Sequence, residues 1–155
     1  CTFRARFPNQ KRVIYNWHQD EGTWFVSKNI NLQNKYSATL WFSVNGADKS
    51  DSIQLVKFSH KKKLYDHNYI KGQGYFSANI NEKIDEALIY TVNVKESEAV
   101  LFHPLTLHRS VAQNTQTINM RPRYSIDIRY FDKNLFLKYD TTILFKIKKF
   151  LKNLR

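Results

Sequence analysis

Short runs of β-branched and aromatic residues recur along the chain: Thr2 to Phe7, Val13 to Trp17, Thr23 to Ser27, Ala38 to Val44, Ile53 to Phe58, Leu88 to Val92, Ala99 to His103 and Tyr124 to Phe131. Such side chains fit a pleated surface, so each run predicts a strand. Between them stand Pro8-Asn9, Asn45-Gly46, Gly72-Gln73-Gly74 and His103-Pro104, residues that set or tolerate turn dihedrals. The pattern predicts an all-β domain, a sandwich or barrel of antiparallel strands. Two segments depart from it. Asn81 to Ala87, short and charged, predicts one helical turn or a loop. Thr142 to Arg155 places Leu144, Ile147, Leu151 and Leu154 at helical spacing with Lys146, Lys148, Lys149 and Lys152 between them, and so predicts a basic amphipathic helix. Its leucines are expected to dock on their own domain, with peripheral membrane contact the rival use.

At 155 residues with 42% hydrophobic and 15% aromatic content, the chain suffices for one core-bearing domain, which excludes a disordered or fibrous protein. The expected organisation is a β core over residues 1–141 followed by the helix over 142–155. A formal charge of +12 suits an anionic partner such as a phosphorylated ligand, nucleic acid or a membrane surface, without choosing among them. Cys1 is the single cysteine, so no intramolecular disulfide forms, and no long uncharged apolar run is available to cross a bilayer. A reducing, cytoplasmic setting is the expectation. The opening Cys-Thr-Phe-Arg, without initiator methionine or signal-like segment, reads as part of a longer chain.

Chemistry enters at His18-Gln19-Asp20, after a predicted strand, where a spacing of two puts imidazole and carboxylate on the same face of extended chain. Those two groups suit Fe(II), Mn(II) or Zn(II), and they leave room for a third ligand and for substrates. A His-x-Asp triplet also arises by chance as a solvated strand-end pair, so the third ligand matters. Of His60, His67, His103 and His108, context favours His108, which a short second strand after the turn at Pro104 would present near its end. His103 and His67 read as structural and His60 as a loop residue. Downstream, Arg123, Ser125, Asp127 and Arg129 alternate with Tyr124, Ile126, Ile128 and Tyr130. The charged face is either a solvated edge or an inward face on which an arginine fork and a hydroxyl hold a carboxylate.

Together, Trp17-His18-Gln19-Asp20, Leu40 to Val44, Ser52 to Lys61, Ala99 to Ser110 and Arg121-Pro122-Arg123 resemble, in order, the phytanoyl-CoA dioxygenase family of Fe(II)/2-oxoglutarate oxygenases. The resemblance runs from about Phe3 to Phe131 and leaves the tail outside. It implies a double-stranded β-helix, the eight-stranded jelly-roll or cupin-like barrel, with His18, Asp20 and His108 as iron ligands. It further implies that Arg123 binds the distal carboxylate of 2-oxoglutarate, aided by Ser125 and Ser110, with Trp41 lining the pocket. Arg121 is a second candidate for that carboxylate, because the spacing from His108 exceeds the family's habit. Where the family carries Pro-Gly-Ser-His, this chain has Lys57-Phe58-Ser59-His60. The implied cofactors are Fe(II), 2-oxoglutarate and O2, with ascorbate an optional reductant.

A carboxylate at Asp20, rather than the small residue that opens a halide site, implies hydroxylation or an oxidation that follows from it. The resemblance itself, not that residue, suggests a small-molecule substrate, anionic or carrier-linked, in carbohydrate or secondary-metabolite biosynthesis. Segments Glu21 to Tyr36 and Lys61 to Tyr75 are expected to form its pocket. Two rival readings are kept. Arg123 and Arg129, six apart, are also similar to a feature of nucleic-acid demethylases of the same superfamily, although scattered positive charge and the lack of a base-stacking platform argue against nucleic acid. The other rival is a non-catalytic jelly-roll binding module.

Overall fold

The computed structural model describes residues 1–7, 16–25, 38–71, 75–111 and 121–130. Nine strands are described: β1 (Thr2–Arg6), β2 (Ala38–Ser43), β3 (Ile53–Val56), β4 (His67–Ile70), β5 (Tyr75–Ala78), β6 (Ile89–Thr91), β7 (Ala99–Phe102), β8 (His108–Ser110) and β9 (Arg123–Tyr130). One short helix, α1 (Asp20–Phe25), lies between β1 and β2. The protein is mostly β-sheet, as the residue pattern predicts, and its organisation is consistent with a jelly-roll oxygenase fold. Among the described residues no helix is long and apolar enough to cross a membrane. The predicted helix over 142–155 and most of the predicted strand over 13–17 lie outside the described residues.

A four-stranded antiparallel sheet runs β1-β9-β2-β7, a three-stranded one β6-β3-β8, and β4 and β5 pair as a two-stranded antiparallel sheet. One apolar cluster joins the two larger sheets through Trp41, Phe102, Ile53, Leu55 and Val92. Val56, next to Leu55 and so on the other face of β3, belongs to a second cluster with Tyr65, Ala78 and Leu107. β9 turns its charged face inward: Arg123, Ser125 and Asp127 are all buried. Its register sets Ser125 opposite Ser43, Asp127 opposite Trp41 and Arg129 opposite Thr39 on β2.

Three local expectations need correction. The predicted strand over Thr23 to Ser27 is instead α1 as far as Phe25. Asp20 and Glu21 in its first turn favour a helix start, and the Thr23 hydroxyl donates to the Asp20 carbonyl, so helix-entry chemistry outweighs the β preference of Thr23-Trp24-Phe25. His108 opens β8 rather than ending it. The strands β4 and β5 are not among the predicted runs, because polar residues such as Asn68 and Ser77 mask their periodicity.

At the turn where the family pattern carries glycine, Phe58 has φ 62, in the left-handed region that costs an L side chain roughly 1–2 kcal/mol. That turn lets the buried Ser59 hydroxyl donate to the Val56 carbonyl and accept from the Leu107 amide, one residue before His108. Phe58 itself is 60% exposed, so its ring recovers little by packing. Phe58→Gly is therefore expected to stabilise the protein by about 0.5–1 kcal/mol, read as a higher denaturant midpoint at unchanged slope. A lower midpoint would show that the ring contributes more than its exposure suggests.

Candidate metal centre

His18 lies just before α1, Asp20 is its first residue and His108 opens β8. A reciprocal pair of backbone hydrogen bonds between His18 and His108, each 3.0 Å, fastens the two segments together. The imidazole rings then lie 4.1 Å apart, and one ligand atom from each of His18, Asp20 and His108 falls within 4.8 Å of the others. Among the described residues this is the one such cluster of histidine, cysteine and carboxylate groups.

The ring orientations suit a metal. Nδ1 of His18 faces the Asn16 carbonyl at 2.9 Å and Nδ1 of His108 faces the Thr106 carbonyl at 2.9 Å. A carbonyl oxygen only accepts, so each Nδ1 carries the proton and each Nε2 presents its lone pair. Such an outer hydrogen bond fixes the tautomer a metal needs. Burial and the neighbouring His108 ring both push the His18 imidazole below its ordinary value. Both therefore favour the neutral, ligating form. Phe102 closes one side, its ring 4.9 Å from that of His108.

Asp20 is gripped through both oxygens. The Thr39 hydroxyl donates to Oδ2 at 2.7 Å and Arg129 Nη2 donates to Oδ1 at 2.7 Å. The two donors are register partners on β2 and β9, so the sheet itself positions the carboxylate. Burial raises the Asp20 carboxyl, but the opposing pull of His108 and Arg129 wins and holds it below the usual carboxylate range. Arg129 also lies 4.0 Å from Asp127, which pairs with Arg4.

Gln19, between His18 and Asp20, faces the opposite way and is fully buried. Its Nε2 donates to the carbonyls of Leu105 (2.8 Å) and Lys63 (3.3 Å), and its Oε1 accepts from the Tyr65 amide (2.8 Å). Its own amide donates to Nε2 of His67 at 3.0 Å, while His67 Nδ1 donates to the Tyr65 carbonyl. Gly22 makes room for that imidazole, since a Cβ there would sit 2.0 Å from His67 Nδ1. His67 is thus structural, as its polar surroundings suggest, but the structure it holds is the ligand-bearing segment. Burial pushes its imidazole below the ordinary value of 6.5. The unfolded chain therefore takes up that proton more readily than the folded one, so stability is full above pH 6.5 and falls as pH drops below it. Melting temperatures of the metal-free protein from neutral to mildly acid pH should show this decline. His67→Gln, which cannot take a proton, should flatten part of it, and an unchanged slope would remove His67 from the account.

The remaining candidates gather farther along β9. Arg123 is buried, its guanidinium carbon 5.2 Å from the centre of the Trp41 ring and Nη1 3.4 Å from the Ser125 hydroxyl. Burial pushes the guanidinium down to about 10, yet it makes no ion pair within 4 Å among the described residues, and its Nε has no hydrogen-bond partner. A buried, unsatisfied fork fits an incoming carboxylate. Arg121 is exposed. Ser110, half-buried, ends β8 opposite Ile53. Thr39, Gln19 and the role of Arg129 at Asp20 escape sequence reasoning, since their partners lie up to 109 positions away.

Two imidazoles and one carboxylate brought together on a mostly β-sheet domain are the donor set of a facial triad. The chain belongs to the phytanoyl-CoA dioxygenase family, whose model matches residues 5–121. Among solved structures it is similar to EvdO2 from Micromonospora carbonacea var. aurantiaca complexed with 2-oxoglutarate, at 15% identity and TM-score 0.63 over 84% of this chain and 49% of that one. It is also similar to the non-heme monooxygenase ThoJ in its apo form, at 20% identity and TM-score 0.58 over 83% of this chain and 44% of that one. The chain thus spans about half the length of the solved structures it matches. No curated protein sequence matches it.

Proposed function

We propose that this chain is the catalytic β domain, a double-stranded β-helix, of an Fe(II)/2-oxoglutarate-dependent oxygenase that hydroxylates a small molecule. The observation that carries the reading is the convergence of His18, Asp20 and His108, with both histidine Nε2 atoms turned out as ligands. The family membership supports it, and so does the likeness of the fold to a protein solved with 2-oxoglutarate.

In this reading His18, Asp20 and His108 would hold Fe(II), and three protein ligands would leave coordination positions for cosubstrate and oxygen. When bound, Fe(II) with 2-oxoglutarate and O2 supplies the oxidation, in which 2-oxoglutarate is converted to succinate and CO2 while one oxygen atom enters the substrate. Thr39 and Arg129 orient the Asp20 carboxylate. Arg123, with Ser125, binds the distal carboxylate of 2-oxoglutarate, Ser110 stands near the same cosubstrate, and Trp41 and Phe102 exclude water. A cavity of about 640 Å³ lies between Lys63–Asp66 and Ala78–Asn81, lined in part by the segment Lys61 to Tyr75 expected to help form the substrate pocket and by none of His18, Asp20, His108 and Arg123. Lysines at 61, 62 and 63 beside it suit an anionic or carrier-linked substrate. The nucleic-acid reading loses its motif, because Arg129 is spent on Asp20 and Arg123 is buried.

The test is succinate formation from 2-oxoglutarate by the Fe(II)-loaded protein in air, without added substrate, because enzymes of this chemistry turn over slowly when uncoupled. Metal-dependent succinate above the rate of a His108→Ala control supports the enzyme. Tight metal binding with no succinate would favour the binding module.

A further inference from the structure

Resting on the reading of Arg123 just given, we propose that Ser43 is a further 2-oxoglutarate-binding residue, its hydroxyl completing with Arg123 and Ser125 a three-part cradle for the distal carboxylate.

Ser43 ends β2, directly opposite Ser125 on β9. Both serines are fully buried, at 0% exposure, on the inner face of the sheet. The Arg123 guanidinium lies 3.4 Å from the Ser125 hydroxyl and 5.2 Å from the centre of the Trp41 ring, and Trp41 precedes Ser43 by two on the same face of β2. The fork therefore reaches across the row formed by Ser125 and Ser43. The backbone of Ser43 is satisfied, its amide donating to the Glu98 carbonyl and its carbonyl accepting from the Ser97 amide. Its hydroxyl is not: Oγ is buried and has no hydrogen-bond partner among the described residues, like Nε of Arg123.

A buried hydroxyl without a partner destabilises the protein that carries it. Alanine in its place would fill nearly the same volume, so a serine that served only packing would be the poorer choice. Two such unsatisfied atoms, one hydroxyl and one guanidinium N–H, beside a third hydroxyl on the facing residue, match the acceptor sites of a carboxylate. The chemistry gives a signature with opposite signs. Removing the hydroxyl should leave the metal-free protein as stable or more stable, while cosubstrate binding weakens.

The experiment compares parent, Ser43→Ala and Arg123→Ala, each loaded with Mn(II). Two quantities are measured: the dissociation constant of 2-oxoglutarate by calorimetry and the melting temperature of the metal-free protein. For Ser43→Ala the expected result is a dissociation constant raised about tenfold, the worth of one hydrogen bond to a charged group, with a melting temperature equal to or above the parent's. Arg123→Ala should raise it further. An unchanged constant in Ser43→Ala beside a defective Arg123→Ala overturns the role of Ser43 alone. Weaker binding in Ser43→Ala together with a lowered melting temperature also overturns it, in favour of a structural role. Normal binding in Arg123→Ala overturns the reading on which the proposal rests.

Discussion

Replacing Asp20 with alanine is expected to abolish tight metal binding and also to lower the melting temperature of the metal-free protein by roughly ten degrees. The first effect follows from losing one of three ligands and the only negative charge among them. The second follows from what else the carboxylate does. Its side chain is 3% exposed, and it is the close partner of Arg129, itself 10% exposed. Truncation removes the 2.7 Å ion pair from a buried guanidinium. Breaking a buried pair from one side costs about 3–5 kcal/mol, which in a protein of this size corresponds to that shift in melting. Asp20→Asn retains an acceptor for Thr39 or Arg129 and should lose metal as completely while melting between alanine and parent. Calorimetry of the metal-free variants and titration with Mn(II) separate the effects. Parent-like metal affinity in both variants would remove Asp20 from the centre.

Arg123→Ala should raise the 2-oxoglutarate concentration needed for half-saturation by about thirtyfold or more, because a desolvated charge pair loses about 2–5 kcal/mol when one side is truncated. Arg123→Lys keeps the charge without the planar fork and should fall between alanine and parent. Arg121→Ala should change little, since Arg121 is exposed beyond the end of β9. Titrating 2-oxoglutarate against the three variants decides the register of β9. A damaged Arg121→Ala beside a silent Arg123→Ala would move the cosubstrate site by two residues.

How far the chain could be read depends on the distance over which each signal acts. Strand runs such as Ala38 to Val44 and Tyr124 to Phe131 declare themselves locally, because alternation and β-branched side chains are properties of neighbours. α1 does not: Thr23-Trp24-Phe25 favours a strand, and the carboxylates that start a helix there look, in sequence, like part of a metal motif. His18 and Asp20 stand out by their spacing of two, and His108 by its place after an apolar strand and a proline turn. The inward turn of the β9 polar face was open between two accounts until its pairing with β2 buried Arg123, Ser125 and Asp127. Ser43 carries no local sign at all. An unpartnered hydroxyl is a property of three-dimensional neighbours, and its strand partner lies 82 positions away, as the pairing of residues 43 and 125 gives.

The Gln19 side chain grips its surroundings only through main-chain atoms: two carbonyls and one amide, at Leu105, Lys63 and Tyr65. Side chains at those three positions are therefore invisible to it. The side chains at 63, 64 and 66 in the wall of the cavity can be rewritten, one at a time, without loosening the segment that carries His18 and Asp20, provided the backbone path is kept, whereas Tyr65 belongs to the apolar core. Changes to that wall and preservation of the His18–Asp20 segment thus act on different atoms of the same residues. A library randomised at Lys63, Leu64 and Asp66 should accordingly retain metal binding in most of its folded members, whereas one randomised at Gln19 should not.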